Sequence, residues 1–576
     1  MTTVTQSPQS PQHLRLQKLM EQLRAKRSES QISSQNQEQN LAASQVAKVI
    51  TIPTIPEPEK DQSQITDKYG NAITLNTKQM EFVHLAASGQ SAVLIGAAGT
   101  GKTTTQKAAI RSLIQSGKAG ILDSQGHSHL PPGAVPGIVI CAYTRRATAN
   151  IRRNVDASMQ GNCITIHKLL EYQPVYDEVW DETSGEMKTK MSFQPARNKD
   201  NPLPSSIKTI IIEESSMVGM ELHDQIIEAC PHNPQFIYLG DIQQLPPVFG
   251  SAILGFKLLS LPVVELTEVY RQALESPIIS LAHRILSGIP INPKEFPEWK
   301  LPGLTIHPWK KSIAANEACL SAGQFFKAAI AAGPAAYNPE EDIILVPFNK
   351  QFGTDELNKI IANKLTHDRG SDVYEIIAGF NTHYFAVGDR ILYDKLDAVI
   401  VRIESNSGYA GRKCQHHSPT MDYWGYDPNA AKYAGQSEND LDVDLVLAAV
   451  SSGSDERVAQ CSHKITIKFL DDDRETIISK AAEVNTTSLG YCLTVHKSQG
   501  SEWRKVFICL HQSHNTMLQR ELLYTAVTRA REELYVICEP DSFVKGILGQ
   551  RITGQTLEEK AEFFKGKLKQ QEEKLG

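Results

Sequence analysis

One stretch constrains this chain more than any other: Ala92-Val93-Leu94-Ile95, continued by Gly96-Ala97-Ala98-Gly99-Thr100-Gly101-Lys102-Thr103-Thr104. The apolar run reads as a buried strand, and Gly96 breaks it. From Gly96 to Thr103 the chain meets the pattern G-x-x-x-x-G-K-[ST] at every fixed position. Glycine has no Cβ, so the backbone can curl until successive N–H groups point inward and hold phosphate oxygens. A helix opening near Lys102 adds its positive end to the same pocket. Lys102 would reach the β- and γ-phosphates and the Thr103 hydroxyl would ligand Mg²⁺. The residues from Gly96 through Thr104 therefore imply a bound nucleoside triphosphate with Mg²⁺.

A chain of 576 residues is too long for one core and implies about three or four modules. No run approaches the ~18 apolar residues a membrane span needs, and the polar start carries no secretory h-region. Nine cysteines without a C-x-x-C pair fit reduced thiols, so the expected place is the cytoplasm. A formal charge of −6 argues against an overall basic coat but leaves room for a local basic channel.

Residues 1–70 are Gln-, Ser-, Asn- and Pro-rich and read as a disordered tail. Within them Leu16, Leu19, Met20 and Leu23 recur at helical spacing among basic residues. That pattern fits either a docking helix for a protein partner or DNA, or a solvated helix. From Leu75 onward strands alternate with helices, the mark of a parallel α/β sheet. Buried strands are expected at 92–95, 137–142, 207–212, 236–239, 343–346, 506–510 and 534–538. They fall into two groups, hence two α/β domains, at 71–285 and at 286–381 plus 486–545. A β-hairpin is expected at 171–203 around Asp181-Glu182-Thr183-Ser184-Gly185. A small β-barrel with a polar excursion is expected at 382–485. The tail, 546–576, begins a helix with the capping box Thr556-Leu557-Glu558-Glu559. Its lysines, Lys560, Lys565, Lys567 and Lys569, alternate with glutamates and read as a solvated face.

Ile207 through Ile212 is a β-branched run ending in Glu213-Glu214. A carboxylate at a parallel strand end beside a phosphate loop suits Mg²⁺, so Glu213 is the metal candidate. Its neighbour Glu214 can orient and deprotonate the attacking water. Gly240-Asp241-Ile242-Gln243-Gln244-Leu245-Pro246-Pro247 comes after the next strand, and Gln244 there can hydrogen-bond the γ-phosphate or water. Cys414, His416, His417, Cys461 and His463 offer zinc ligand types without a standard finger spacing, and no metal site is assigned to them.

Taken in order, these segments resemble the superfamily 1 helicases of the 5′→3′ class, nearest to the RecD-like and phage Dda-like group. The resemblance rests on Leu75–Gln79, the phosphate loop, Thr144-Arg145-Arg146-Ala147, Thr165–Leu170, Glu213-Glu214, Gly240–Val248, Leu266–Gln272, Leu493–Trp503 and Leu523–Arg531. It covers about residues 72–545. It implies two RecA-like domains, with the hairpin as a strand-separating pin and the insertion as an SH3-like subdomain. It further implies that Gln79 reads the adenine edge and that Glu502 contacts the ribose or assists coupling. Arg271 and Arg529 would be arginine fingers, supplied across the cleft between the domains. Thr144, Arg145, His167, Thr494 and His496 would line a single-stranded DNA track. Trp180 and Phe193 in the hairpin either wedge the duplex junction or pack the hairpin onto the first domain. The family usually carries Asp-Glu where this chain has Glu213-Glu214, a side chain one methylene longer at the metal position. The implied protein is a monomeric ATP-dependent DNA helicase. The motor motifs do not report the sugar, so an RNA or RNA–DNA substrate stays open, as does an ATP-switched binding factor with little unwinding.

Overall fold

The computed structural model describes residues 65–66, 72–116, 137–181, 186–247, 252–269, 275–291, 300–309, 314–350, 352–379, 381–393, 396–407, 416–417, 460–470, 474–552, 554 and 556–575. Side chains of 174–193 lie outside the described residues. So do the segment 1–64, Arg271, Cys414 and most of the polar excursion expected at 404–460.

The first six-stranded sheet runs Val263–Leu266, Ala92–Gly96, Gln235–Gly240, Thr209–Ile212, Ile138–Ala142, Cys163–Thr165, each strand parallel to its neighbour. Parallel sheets are covered on both faces, so their strands read as continuous apolar runs rather than alternating ones. Ala92–Gly96 is buried throughout, yet its residues divide by parity. Val93 and Ile95 face one core with Ile210, Ile212 and Tyr238. Ala92 and Leu94 face the other with Phe82, Ile110, Ile211 and Leu239. Each fully buried Leu or Ile here contributes roughly 2–3 kcal/mol.

The second six-stranded sheet runs Lys300–Leu301, Leu304–Pro308, Ala530–Cys538, Trp503–Leu510, Ile343–Val346, Cys492–Thr494. Its first pair is antiparallel and the others are parallel. All seven strands expected from the sequence are present, Ile343–Val346 with the expected ends and the other six with shifted ones, such as 209–212 for 207–212 and 503–510 for 506–510. Ile207 falls outside because its N–H turns back to Pro204 O.

The hairpin pairs Tyr172–Asp181 with Glu186–Pro195 in unbroken antiparallel register, setting Trp180 opposite Met187 and Pro174 opposite Phe193. Its base is fastened by Tyr172 Oη donating to Gln225 Oε1 at 2.5 Å and by the Arg197–Glu171 ion pair at 2.9 Å. Among the described residues the inserted antiparallel sheet has eight strands, with a core that includes Ile376, Phe385, Ile391, Ile400, Ile465 and Ile467. It begins earlier than the expected 382, because Val373–Ala378 pairs along its whole length with Asn381–Ala386.

The tail differs from its expectation. The capping box forms, with Glu559 N–H on Thr556 Oγ1 and Thr556 N–H on Glu559 Oε2, both at 3.2 Å. Yet the helix Leu557–Leu575 is not solvated all round. Phe564 is buried against Phe256, and a Cβ on Gly255 would meet its ring at 2.3 Å. Lys560 is 3% exposed on the same side, whereas Lys565 is exposed. Two adjacent phenylalanines decided this, since burying one of them draws its whole helical stripe inward.

Candidate nucleotide site and adjoining interface

The phosphate loop leaves the strand Ala92–Gly96 and enters the helix Lys102–Gln115. Gly99 and Gly101 sit at φ of 81° and 84°, the left-handed region that glycine enters without strain. A Cβ on Gly96 would stand 2.5 Å from Thr100 Oγ1. The loop is laced to itself: Lys102 Nζ donates to Gly96 O at 2.6 Å and Ala97 O at 3.1 Å, and Thr100 Oγ1 donates to Ala97 O at 2.8 Å. Thr103 is exposed at the start of the helix and Thr104 is half-buried.

Gln79 is fully buried at the third position of the helix Thr77–Ala87. Its amide oxygen takes the Asn76 N–H at 3.0 Å and its amide nitrogen approaches Gly101 O at 3.5 Å. Gln79 therefore links that helix to the loop's last glycine.

Glu213 and Glu214 end the strand Thr209–Ile212, which puts them two strands from the loop strand. Burial pushes the Glu213 carboxyl up to about 7, Glu214 adds to the rise, and Lys102 opposes it. Burial also raises Glu214, against the pull of Arg529 and then Lys102, while Asp241 and Glu502 push it further up. Glu214 holds φ of 47°, a strained setting for a residue with a Cβ and one that clusters at functional sites. An exposed Thr103 hydroxyl and a Glu213 carboxylate are hard oxygen donors, the set that suits Mg²⁺.

A cavity of about 310 Å³ lies beside the loop, lined by Gly96, Ala97, Thr100, Asp241, His283 and Lys560 among others. Gln243 lines it too, whereas Gln244 lines a smaller cavity against Phe563 and Phe564 of the tail. Among the described residues, Gln244 Oε1 is buried without a hydrogen-bond partner.

The second sheet reaches this site through the helix Arg520–Val527. Thr525 Oγ1 accepts the Leu245 N–H at 3.0 Å, and Gln499 Nε2 donates to Leu245 O at 2.7 Å. Arg529 is buried, with its guanidinium on Thr525 O, Ser501 O and Thr528 Oγ1 at 3.0–3.1 Å. Glu502 is exposed next to it. Farther along, a Cβ on Gly500 would stand 2.6 Å from Ala147 Cβ, so the sheets meet closely there. Arg146 spans the same seam, paired with Asp397 at 2.8 Å and lying 5.5 Å from the Trp503 ring centroid.

The expected track residues come at or just after the carboxyl ends of strands in the two sheets. Thr144 caps the helix Arg145–Asn154 through its hydroxyl, 3.0 Å from Ala147 N, and Arg145 is exposed. His167 comes just after the edge strand Cys163–Thr165 and meets the Tyr172 ring edge-on at 4.8 Å. Thr494 closes the edge strand Cys492–Thr494 of the second sheet and His496 lies two residues on, Thr494 buried and His496 half-buried.

Two family models match parts of the chain: one described as "AAA domain" matches residues 79–250, and one described as "UvrD-like helicase C-terminal domain" matches 489–537. The ATP-dependent RecD2 DNA helicase of Deinococcus radiodurans is 27% identical over 462 residues, covering 80% of this chain and 48% of that protein. The RecBCD enzyme subunit RecD of Buchnera aphidicola is 22% identical over 496 residues, covering 79% of this chain and 71% of the relative. By these matches the chain is similar to RecD-like helicases of superfamily 1. It spans about half the length of the Deinococcus relative. Among solved structures, Pif1 helicase from Candida albicans aligns over 86% of this chain and 99% of its own, at 15% identity and a TM-score of 0.43. Pif1 helicase from Bacteroides in complex with ADP-AlF3 and ssDNA gives 86%, 98%, 16% and 0.45. At those scores the assignment rests on the sequence matches.

Within this chain, three residues at the candidate site have no role that the sequence pattern assigns: Tyr524, His283 and Lys560. Tyr524 and its partner Asp241 sit inside recognisable segments, so their signal was available. His283 and Lys560 had none, because only folding brings a mid-chain helix and the tail beside the loop.

Proposed function

We propose that this chain is an ATP-driven DNA translocase and helicase moving 5′→3′ along single-stranded DNA. The observation that carries the reading is that the phosphate loop, on one sheet, meets residues of the other, with Tyr524 Oη on the Ala98 N–H and Arg529 acting on Glu214. A nucleotide clamped between two such bodies draws them together, and its hydrolysis lets them part, which is a stepping cycle. The two bodies are RecA-like domains, the expected bounds 71–285 and 286–381 with 486–545 being moved so that the helix Pro277–Leu286 goes with the second sheet, whose core it joins, and Val373–Ala378 with the insertion. The eight-stranded insertion is the SH3-like subdomain, and the hairpin is the pin at the junction, with Trp180 and Phe193 as its wedge candidates.

In this reading the loop N–H groups and Lys102 hold the phosphates, and Glu214 orients the water and takes its proton. Arg529, with Arg271, neutralises charge developing on the transferred phosphoryl group. Mg²⁺, held by Thr103 and Glu213, offsets phosphate charge when bound. Gln244 reports the γ-phosphate, while Gln79 and Glu502 contact the nucleoside. Thr144, Arg145, His167, Thr494 and His496 line the strand, and the enzyme works as a cytoplasmic monomer.

The test is unwinding of DNA duplexes carrying either a 5′ or a 3′ single-stranded tail, with ATP. Unwinding confined to the 5′-tailed duplex is expected. Unwinding of the 3′-tailed duplex alone refutes the direction, and DNA-stimulated ATP hydrolysis with neither unwound favours the ATP-switched binding factor.

A further inference from the structure

The peptide of Ala98, in the middle of the phosphate loop, is gripped from two sides by residues that belong to the second sheet's side of the molecule. Its N–H donates to Tyr524 Oη at 2.7 Å, and its carbonyl accepts from His283 Nε2 at 3.3 Å. Tyr524 lies on the helix Arg520–Val527 and His283 on the helix Pro277–Leu286. The two helices share one core through Leu281, Ala282, Ile285, Leu522, Leu523 and Ala526. Tyr524 is fully buried and also donates its own proton to Asp241 Oδ2 at 2.5 Å. Burial and the Asp241 charge raise the phenol well above its ordinary range, so it stays a donor. Asp241, 1% exposed, comes at the end of the strand Gln235–Gly240 beside the loop strand.

These contacts tie together groups that are distant in sequence. The Ala98 N–H is a backbone donor within the phosphate loop, and here it is spent on a side chain. That side chain lies on the helix that ends at Val527, just before Arg529, whose guanidinium is bonded back to Thr525 O of the same helix. Resting on the nucleotide reading above, we propose that Tyr524 is a positioning residue: its hydroxyl withholds the Ala98 amide until nucleotide displaces it, linking loop occupancy to the placement of Arg529. Breaking the Ala98–Tyr524 bond is then a cost that ATP binding meets, and the released helix carries the arginine into its working position.

Tyr524→Phe removes the hydroxyl and keeps the ring, so it separates this role from packing. Affinity for a fluorescent non-hydrolysable ATP analogue should tighten about threefold to tenfold, the span of one neutral hydrogen bond. Single-strand-stimulated kcat should fall about tenfold or more, so KM and kcat move together in a way that a damaged fold does not produce. If Tyr524→Phe proves unstable, His283→Ala frees the other side of the Ala98 peptide and should tighten the same affinity by a smaller factor. A folded Tyr524→Phe, or failing that a folded His283→Ala, that binds the analogue as the wild type does, or more weakly, overturns the proposal. A wild-type protein that binds no analogue overturns the nucleotide reading beneath it, an outcome visible before any variant is made.

Discussion

At the carboxyl end of Ala92–Gly96 the chain turns through two glycines at positive φ and enters a long helix. At the carboxyl end of Ile343–Val346, an equally buried strand inside the second sheet, it runs instead into Pro347. Proline has no N–H, so the first position after this strand offers no backbone donor. The second sheet contributes differently, sending Tyr524, Thr525 and Gln499 across to the first and presenting Arg529 near Glu214. Both sheets are held by the same physics, parallel strands buried on two faces, and burial says nothing about which one binds a ligand. The few residues after each strand decide that, and neither sheet carries the whole site. Folds of this kind divide the labour between scaffold and strand-end loops.

The comparison breaks most sharply at Lys102. Lys102→Ala should reduce DNA-stimulated ATP hydrolysis to background with an unchanged melting temperature, because that ammonium is held against the loop at Gly96 O and Ala97 O. Substantial turnover by the purified variant would remove the first sheet from the chemistry. The next largest effect tests the second sheet. Arg529→Ala should slow turnover about 10³-fold while a nucleotide analogue still binds within about threefold of the parent. Affinity and turnover lost in equal measure would give Arg529 a binding role and erase the proposed division.

The smallest effect concerns the acids between the two sheets. With its carboxyl raised from 4.5 to about 7, Glu213 keeps its proton in the folded protein after the unfolded chain has lost it. Its contribution to stability is therefore complete below about pH 4.5 and is lost as pH rises through about 7, a swing of about 3 kcal/mol at most. The melting temperature of the nucleotide-free wild type should fall relative to Glu213→Gln between pH 5 and pH 8. A difference that stays flat across that window means Glu213 is ionised throughout and the acids are better solvated than their position indicates.

Much of this was legible before folding. The loop could be read because its glycines and Lys102 act within a few residues of one another, and the strands because β-branched runs bury themselves wherever a parallel sheet forms. The acid pair at Glu213-Glu214 was equally local. The start of the inserted sheet was not, because Val373–Ala378 looks like any other apolar strand until it pairs with Asn381–Ala386. Lys560 read as one more charge on a solvated helix, and only the docking of Phe564 beneath it took that lysine out of water.

What the sequence alone determined is thus each half of the site in isolation: a phosphate cradle, two carboxylates, and a segment bearing an arginine. What only the tertiary structure decided is how the halves meet, with Tyr524 bonded to Ala98 426 residues away and to Asp241 283 residues away. Backbone curvature and strand burial depend on near neighbours, whose chemistry is written side by side. A hydrogen bond across two sheets depends on the packing of every surface between them, and no local pattern encodes that sum.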